Sequence, residues 1–321
     1  MTKSDETKQW IPINPAFDPS EPMQVGGQAV IEGVMMRAKG VIATAVRRKN
    51  GDIQVKKEAF HSITEKYPKL KLPILRGAIG LVEMMYVGIR TLNYSAELAM
   101  EDEQGSGAKK KKPQTTFALA MTLAVALAAG IALFFFLPLF AATQFFSVEQ
   151  QPLLFNLVAG TIRVAILLVY LSGISLMKDV ATLFRYHGAE HKAVFTFELN
   201  ASLTVASAMG YPRLHPRCGT SFILIVMVIS IVLFSLLDAV LLLIFGSLTL
   251  PMRLMTHIPF IPVVGGIAYE FLKFSAKHSA TLWGRMVIAP GLWLQKITTK
   301  EPDEKQMEVA LAAIQAALSG E

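Results

Sequence analysis

The chain has 321 residues, 53% of them hydrophobic and only 17% charged, which excludes an ordinary soluble globule and leaves room for two regions. A net charge of +7 fits basic residues flanking apolar spans better than it fits nucleic acid, which is not an expected partner. The single cysteine, Cys218, excludes an intrachain disulfide framework and any all-cysteine zinc site.

Residues 1–23 read as an irregular lead, because Pro12, Pro15, Pro19 and Pro22 block both helix and ladder. The polar start has no apolar h-region, so the N-terminus is expected to stay in the cytoplasm. Residues 24–100 read as a cytoplasmic β unit followed by a membrane-surface helix. Ala29-Val30-Ile31, Gly40 to Val46 and Asp52 to Phe60 are the extended runs, and Asn50-Gly51 predicts a type I′ hairpin with both residues at positive φ. Leu72 to Met100, with Pro73 at its start and Arg76, Glu83 and Arg90 at roughly helical spacing, predicts a helix on or half sunk in a membrane surface. Residues 101–115 form a linker whose Lys109 to Lys112 anchor the topology.

Residues 116–295 carry the apolar spans: Thr116 to Ala142, Pro152 to Met177 and Thr220 to Phe245 each meet the length a bilayer requires. A fourth stretch, Ile258 to Leu272, holds Pro259, Pro262 and Gly265-Gly266 and is expected to be broken or re-entrant. Basic residues precede the first span, are missing from the Ser147 to Gln151 loop, and follow the second as Lys178, Arg185 and Lys192. That asymmetry puts both termini in the cytoplasm. Residues 296–321 hold a cytoplasmic helix, amphipathic over Asp303 to Leu318. The expected fold is thus an α-helical integral membrane protein of three to four transmembrane helices, with a small cytoplasmic α+β portion containing a β-hairpin.

The residues that point to chemistry lie on the cytoplasmic side of this scheme. His187-Gly188-Ala189-Glu190-His191 is an H-x-x-E-H pattern; on a helix it stacks two imidazoles one turn apart, with a carboxylate on the adjoining face. This arrangement suits a divalent metal, zinc first, with His187 and His191 as ligands and Glu190 as catalytic base. The plain reading is a polar helix whose histidines bond to phosphates or to the β unit. A further ligand is sought among His215, Cys218, Glu198 and Glu270, with His215 and Cys218 favoured jointly; the cysteine could equally be packed, and Glu270 could snorkel. Arg185, Lys192, Arg213 and Arg217 surround these histidines in sequence and favour a phosphate- or carboxylate-bearing ligand, unless they only record the positive-inside bias. Gly26 to Arg37 surrounds Glu32 and Arg37 with glycines and apolar residues, so these two are candidate polar handles on a ligand or partner, or else the stretch is a β-bulge. Arg163 and Asp238 lie inside spans at similar depth and are expected to form an intramembrane ion pair.

Three stretches together, Gly26 to Arg37, Arg185 to Lys192 and His215-Pro216-Arg217-Cys218-Gly219-Thr220-Ser221-Phe222, resemble the YqhQ-like family of bacterial membrane proteins from about Gln24 onward. The resemblance implies a domain of unknown function described as a predicted metal-dependent enzyme, hence a metal role for His187, Glu190 and His191, and it supplies no substrate. The leading expectation is a membrane-embedded metal-dependent enzyme of hydrolase type in a bacterial cytoplasmic membrane. The alternative is a non-catalytic membrane protein that binds a lipid headgroup, metal or protein partner as a scaffold or assembly factor. Membrane lipids are expected partners in either case, and a homo-oligomer is compatible with both.

Overall fold

The computed structural model describes residues 25–38, 40–104, 116–147, 151–278 and 281–320. The expected lead over 1–23, Lys109 to Lys112 and the centre of the Ser147 to Gln151 loop lie outside them. By internal packing the described residues divide into two units: one holds those up to His61, Thr182–Cys218 and those from Lys273 on, and the other holds those within Ser62–Ala181 and Gly219–Leu272.

In the first unit four strands, β1 (Gly26–Val30), β2 (Gly33–Ala38), β3 (Val41–Arg47) and β4 (Ile53–Ala59), form one antiparallel sheet in sequence order. The stretch Gly26 to Arg37 is therefore a hairpin and not a bulged strand: Val30 pairs with Gly33 and Glu32 turns the corner at φ 51°. The Asn50-Gly51 hairpin forms as predicted, with a different turn. Only Gly51 takes a positive φ, of 95°, its N–H donates to the Arg48 carbonyl at 2.9 Å, and the Asn50 side chain instead ties down Asp52. One left-handed glycine closing a type I turn satisfies the twist of the strands as well as two would.

The helices, in chain order, begin in the second unit with α1 (Ile63–Lys66), capped by Ser62, and α2 (Leu75–Gln104), which follows a 3-10 turn over Pro68–Lys71. Then come α3 (Thr116–Ile131), a π-helical turn over Ala132–Phe136, α4 (Leu137–Thr143) and α5 (Pro152–Ile174). Helices α6 (Lys178–Glu198) and α7 (Val205–Met209) lead to α8 (Gly219–Phe245) and α9 (Leu250–Lys277), and α10 (Leu282–Thr298) and α11 (Glu304–Leu318) finish the chain. Among the described residues, four stretches are long and apolar enough to cross a membrane: Ala124–Thr143, Pro152–Ile174, Gly219–Phe245 and Leu250–Ser275.

The sheet unit is closed by helices. One face of β2 and β3 is buried because the apolar stripe of α11, through Met307, Ala310 and Ile314, shares one core with Val34, Met36, Ala43 and Ala45. Tyr186, Ala189 and Ala193 of α6 join the same core. A capping box fixes where α11 begins: Gln306 N–H donates to Asp303 Oδ1 at 2.8 Å, and Asp303 N–H returns to Gln306 Oε1 at 3.0 Å.

In the helical unit two expectations are corrected. The fourth apolar stretch is not broken: α9 runs 28 residues through Pro259 and Pro262. Gly266, read as a breaker, is where α2's entry segment approaches, since a Cβ there would stand 2.3 Å from the Ile74 carbonyl oxygen. The Arg163–Asp238 pair is not formed. Asp238 is fully buried and bonds to Arg253, to His257 Nε2 at 2.9 Å and to Asn156 Nδ2 at 2.7 Å. Arg163 donates instead to the Phe134 carbonyl at 2.7 Å, within the π turn, where the looser hydrogen-bond ladder leaves a carbonyl to accept it. The physical reason is the true start of α9: eight residues earlier than Ile258, it brings Arg253 and His257 alongside Asp238. Glu270 is bidentate to Arg76, at 2.6 and 2.5 Å, and is thereby committed to an ion pair.

Candidate metal centre

His187 and His191 lie one turn apart on α6, their ring centroids 4.4 Å from each other. Cys218, immediately before α8, brings its Sγ to 3.2 Å from His187 Nε2. Ligand atoms of His187, His191 and Cys218 all lie within 4.8 Å of one another.

The far side of each imidazole is fixed by a backbone carbonyl. His187 Nδ1 is 2.8 Å from the Thr298 oxygen, and His191 Nδ1 is 2.5 Å from the Arg213 oxygen. A carbonyl can only accept, so both Nδ1 atoms carry the proton, and in the neutral ring each Nε2 lone pair faces inward toward the sulfur. This outer support orients imidazoles in metal sites. Among the described residues His191 Nε2 is buried with no hydrogen-bond partner, although Glu190 Oε2 stands 3.4 Å away.

The charges are arranged in the same sense. Burial pushes the Cys218 thiol up, but the His191 and His187 rings more than offset it and hold the thiol well below its ordinary range. Burial pulls His191 down, and the Cys218 sulfur and Glu190 carboxylate raise it to a net upward shift. Both shifts favour a deprotonated sulfur, the form that a cation would bind.

Local sequence explains how the elements meet. A Cβ on Gly188 would stand 2.1 Å from the Lys300 carbonyl oxygen, so glycine lets α6 lie against the segment after α10. Lys300 N–H donates to the Phe184 carbonyl at 2.8 Å along that contact, which brings the Thr298 carbonyl to His187. On the other side of α6, a Cβ on Gly27 would meet the Met35 carbonyl oxygen at 2.3 Å and Glu190 Cγ at 3.0 Å. The first glycine-rich motif therefore shapes the wall beside Glu190.

The remaining predicted residues surround this cluster in other ways. His215 is buried, its Nδ1 accepts from the Arg217 N–H at 3.2 Å and its Nε2 faces Glu198 Oε2 at 3.4 Å, so each ring nitrogen has a partner other than the sulfur. Burial lowers its pKa. Glu198 also pairs with Arg217, whose pKa burial lowers to about 10. Lys192 Nζ is held by the Met209 and Tyr211 carbonyls and by Glu301, and Arg213 by Thr299 and Glu301, so these two cations act as clamps. Arg185 keeps a buried Nε without a hydrogen-bond partner among the described residues. Glu32 accepts from the Tyr186 hydroxyl at 3.3 Å, and Arg37 stacks over the Phe60 ring at 4.4 Å. The features that the motifs did not signal are the support from α10 and from the Arg213 carbonyl. Gln295 bonds both to the N–H and to the carbonyl of His215, each at 2.8 Å, and main-chain atoms leave no mark in the sequence.

Two imidazoles and a thiolate are a donor set that fits zinc and leaves a coordination position for a further ligand. A family profile described as "Protein of unknown function (DUF1385)" matches residues 72–320. The chain is also 32% identical over 301 residues to "Uncharacterized protein YqhQ" of Bacillus subtilis (strain 168), covering 90% of this chain and 91% of that one. No solved structure matches. The chain therefore belongs to the DUF1385 family, in agreement with the resemblance carried by its three motifs.

Proposed function

We propose that this protein is a multi-pass protein of a bacterial cytoplasmic membrane that holds one divalent metal, zinc by preference, at a cytoplasmic juxtamembrane site, and that it acts there as a hydrolase-type enzyme. The observation that supports this most strongly is the convergence of His187, His191 and Cys218 ligand atoms within 4.8 Å, with both Nδ1 atoms already bonded to carbonyls. Cys218 directly precedes the span-length helix α8, and the basic residues after α5 favour the cytoplasmic side. Zinc held by these three residues would supply Lewis-acid character at neutral pH. Glu190, buried beside His191, is the acid–base group, and the wall at Gly27 holds its side chain in place.

The test is the metal content of the purified full-length protein. About one zinc per chain is expected in the wild type, with loss in His187→Ala and Cys218→Ser and retention in Glu190→Gln. Wild-type protein that holds no stoichiometric metal, even after equilibration with zinc, overturns the proposal. A wild type that holds zinc yet cleaves no ester, amide or phosphoester in a broad panel favours the non-catalytic alternative. A second reading is favoured by the lowered Cys218 thiol: the sulfur acts as nucleophile with His187 as its base. It predicts rapid alkylation of Cys218 that added zinc does not slow.

A further inference from the structure

Helix α10 has two unlike faces. Gly284, Ile288, Gly291, Leu294, Gln295 and Thr298 are buried, and they include the groups that support the histidines: the Thr298 carbonyl on His187 and the Gln295 side chain on His215. The opposite face leaves Leu282 77%, Trp283 55%, Met286 66% and Trp293 66% exposed. With Pro290, also exposed, these fall at helical spacing along a single stripe. Apolar side chains gain by leaving water, so the stripe needs a cover.

The composition says which cover. The tryptophans sit ten residues apart, about 15 Å along the helix. Arg285 and Lys296 lie on exposed positions, and no Asp or Glu occurs between Leu282 and Thr298. Tryptophan at both ends, cations alongside and no acid mark a helix lying in the headgroup layer of an anionic membrane. Connectivity agrees, because α10 begins seven residues after Ser275, where a span-length apolar stretch ends.

We propose that the outer face of α10 lies in the boundary between lipid headgroups and acyl chains, while its inner face braces the histidine cluster. The inference rests on the membrane reading above and adds the depth at which the cluster is held. Helix α10 is then a plank shared by lipid and site.

The chain has three tryptophans, so full-length protein carrying Trp10→Phe with either Trp283→Phe or Trp293→Phe reports on one position at a time. Each variant is placed in nanodiscs containing anionic phospholipid and phospholipid brominated at a chosen depth. Both positions should lose about half their fluorescence to lipids brominated near the glycerol end of the acyl chain, and clearly less to lipids brominated near the methyl end. Emission quenched by aqueous acrylamide and untouched by brominated lipid would overturn the proposal. Emission shielded from both quenchers would also overturn it, showing that a second copy or a protein partner covers the face. Vesicle flotation of the same protein separates the two levels: chain that floats but is not quenched refutes only the placement of α10, and chain that does not float refutes the membrane reading as well.

Discussion

Replacing Gly188 by alanine sets two effects of opposite sign against each other. At an unobstructed position inside a helix, Gly→Ala adds up to about 1 kcal/mol of stability. At Gly188 the new Cβ would lie 2.1 Å from the Lys300 carbonyl oxygen, a backbone atom that cannot rotate away. Separating them to ordinary contact moves the segment after α10 by more than 1 Å relative to α6, at the upper end of the 1–3 kcal/mol that overpacking costs, so a net loss of about 2 kcal/mol is expected. The same shift draws the Thr298 carbonyl from His187 Nδ1, now at 2.8 Å. Losing such outer support weakens metal binding by about 10- to 100-fold. Thermal unfolding of the metal-free protein should therefore fall by about 3 °C, and zinc affinity, read by competition with a chelator, should fall with it. Gly80→Ala is the control, because no described residue lies within 4 Å of a Cβ at that position in α2, and it should leave stability equal or improved. A Gly188→Ala protein as stable as the Gly80→Ala control, with unchanged zinc affinity, would refute the reasoning.

Three further outcomes are expected. Removing Arg253 alone leaves the buried Asp238 carboxylate without its guanidinium partner and should cost about 3–5 kcal/mol; Arg253→Leu with Asp238→Leu should recover part of it, whereas Arg163→Leu with Asp238→Leu should not, as read by thermal unfolding in detergent. His215 has its pKa lowered by burial, so its neutral form contributes stability that is present above its ordinary pKa and lost as pH falls through the folded value. Metal-free wild type should accordingly lose more stability than His215→Gln when pH is taken from about 7 to about 5, and equal losses would contradict this. Cys218 is the single cysteine and its thiol is held below the ordinary range, so metal-free protein should be alkylated at Cys218 with little dependence on pH around neutrality, and equimolar zinc should protect it. Alkylation that rises tenfold per pH unit through neutrality would show an ordinary thiol.

What the sequence reveals follows from the range of each interaction. The apolar stretches, the α11 stripe and the H-x-x-E-H turn are periodic features of consecutive residues, and the chain can be read for them directly. β2 escaped because a strand buried on both faces shows no alternation: Val34, Met35 and Met36 are all apolar and all buried. The start of α9 escaped because Arg253 and His257 look too polar for an apolar helix, and they are there because both bond to the buried Asp238. At the candidate centre, two imidazoles and the cysteine were legible as residue types. The division of labour between Cys218 and His215 was not: it depends on which ring nitrogen meets Arg217 N–H, Glu198 and two distant carbonyls.

The most direct test of the central claim is X-ray absorption at the zinc edge on full-length protein loaded with one zinc. The account predicts two imidazole nitrogens at about 2.0 Å and one sulfur at about 2.3 Å, with the sulfur signal gone in Cys218→Ser. Zinc that binds with no sulfur in its first shell, or protein that takes up no zinc, would contradict it.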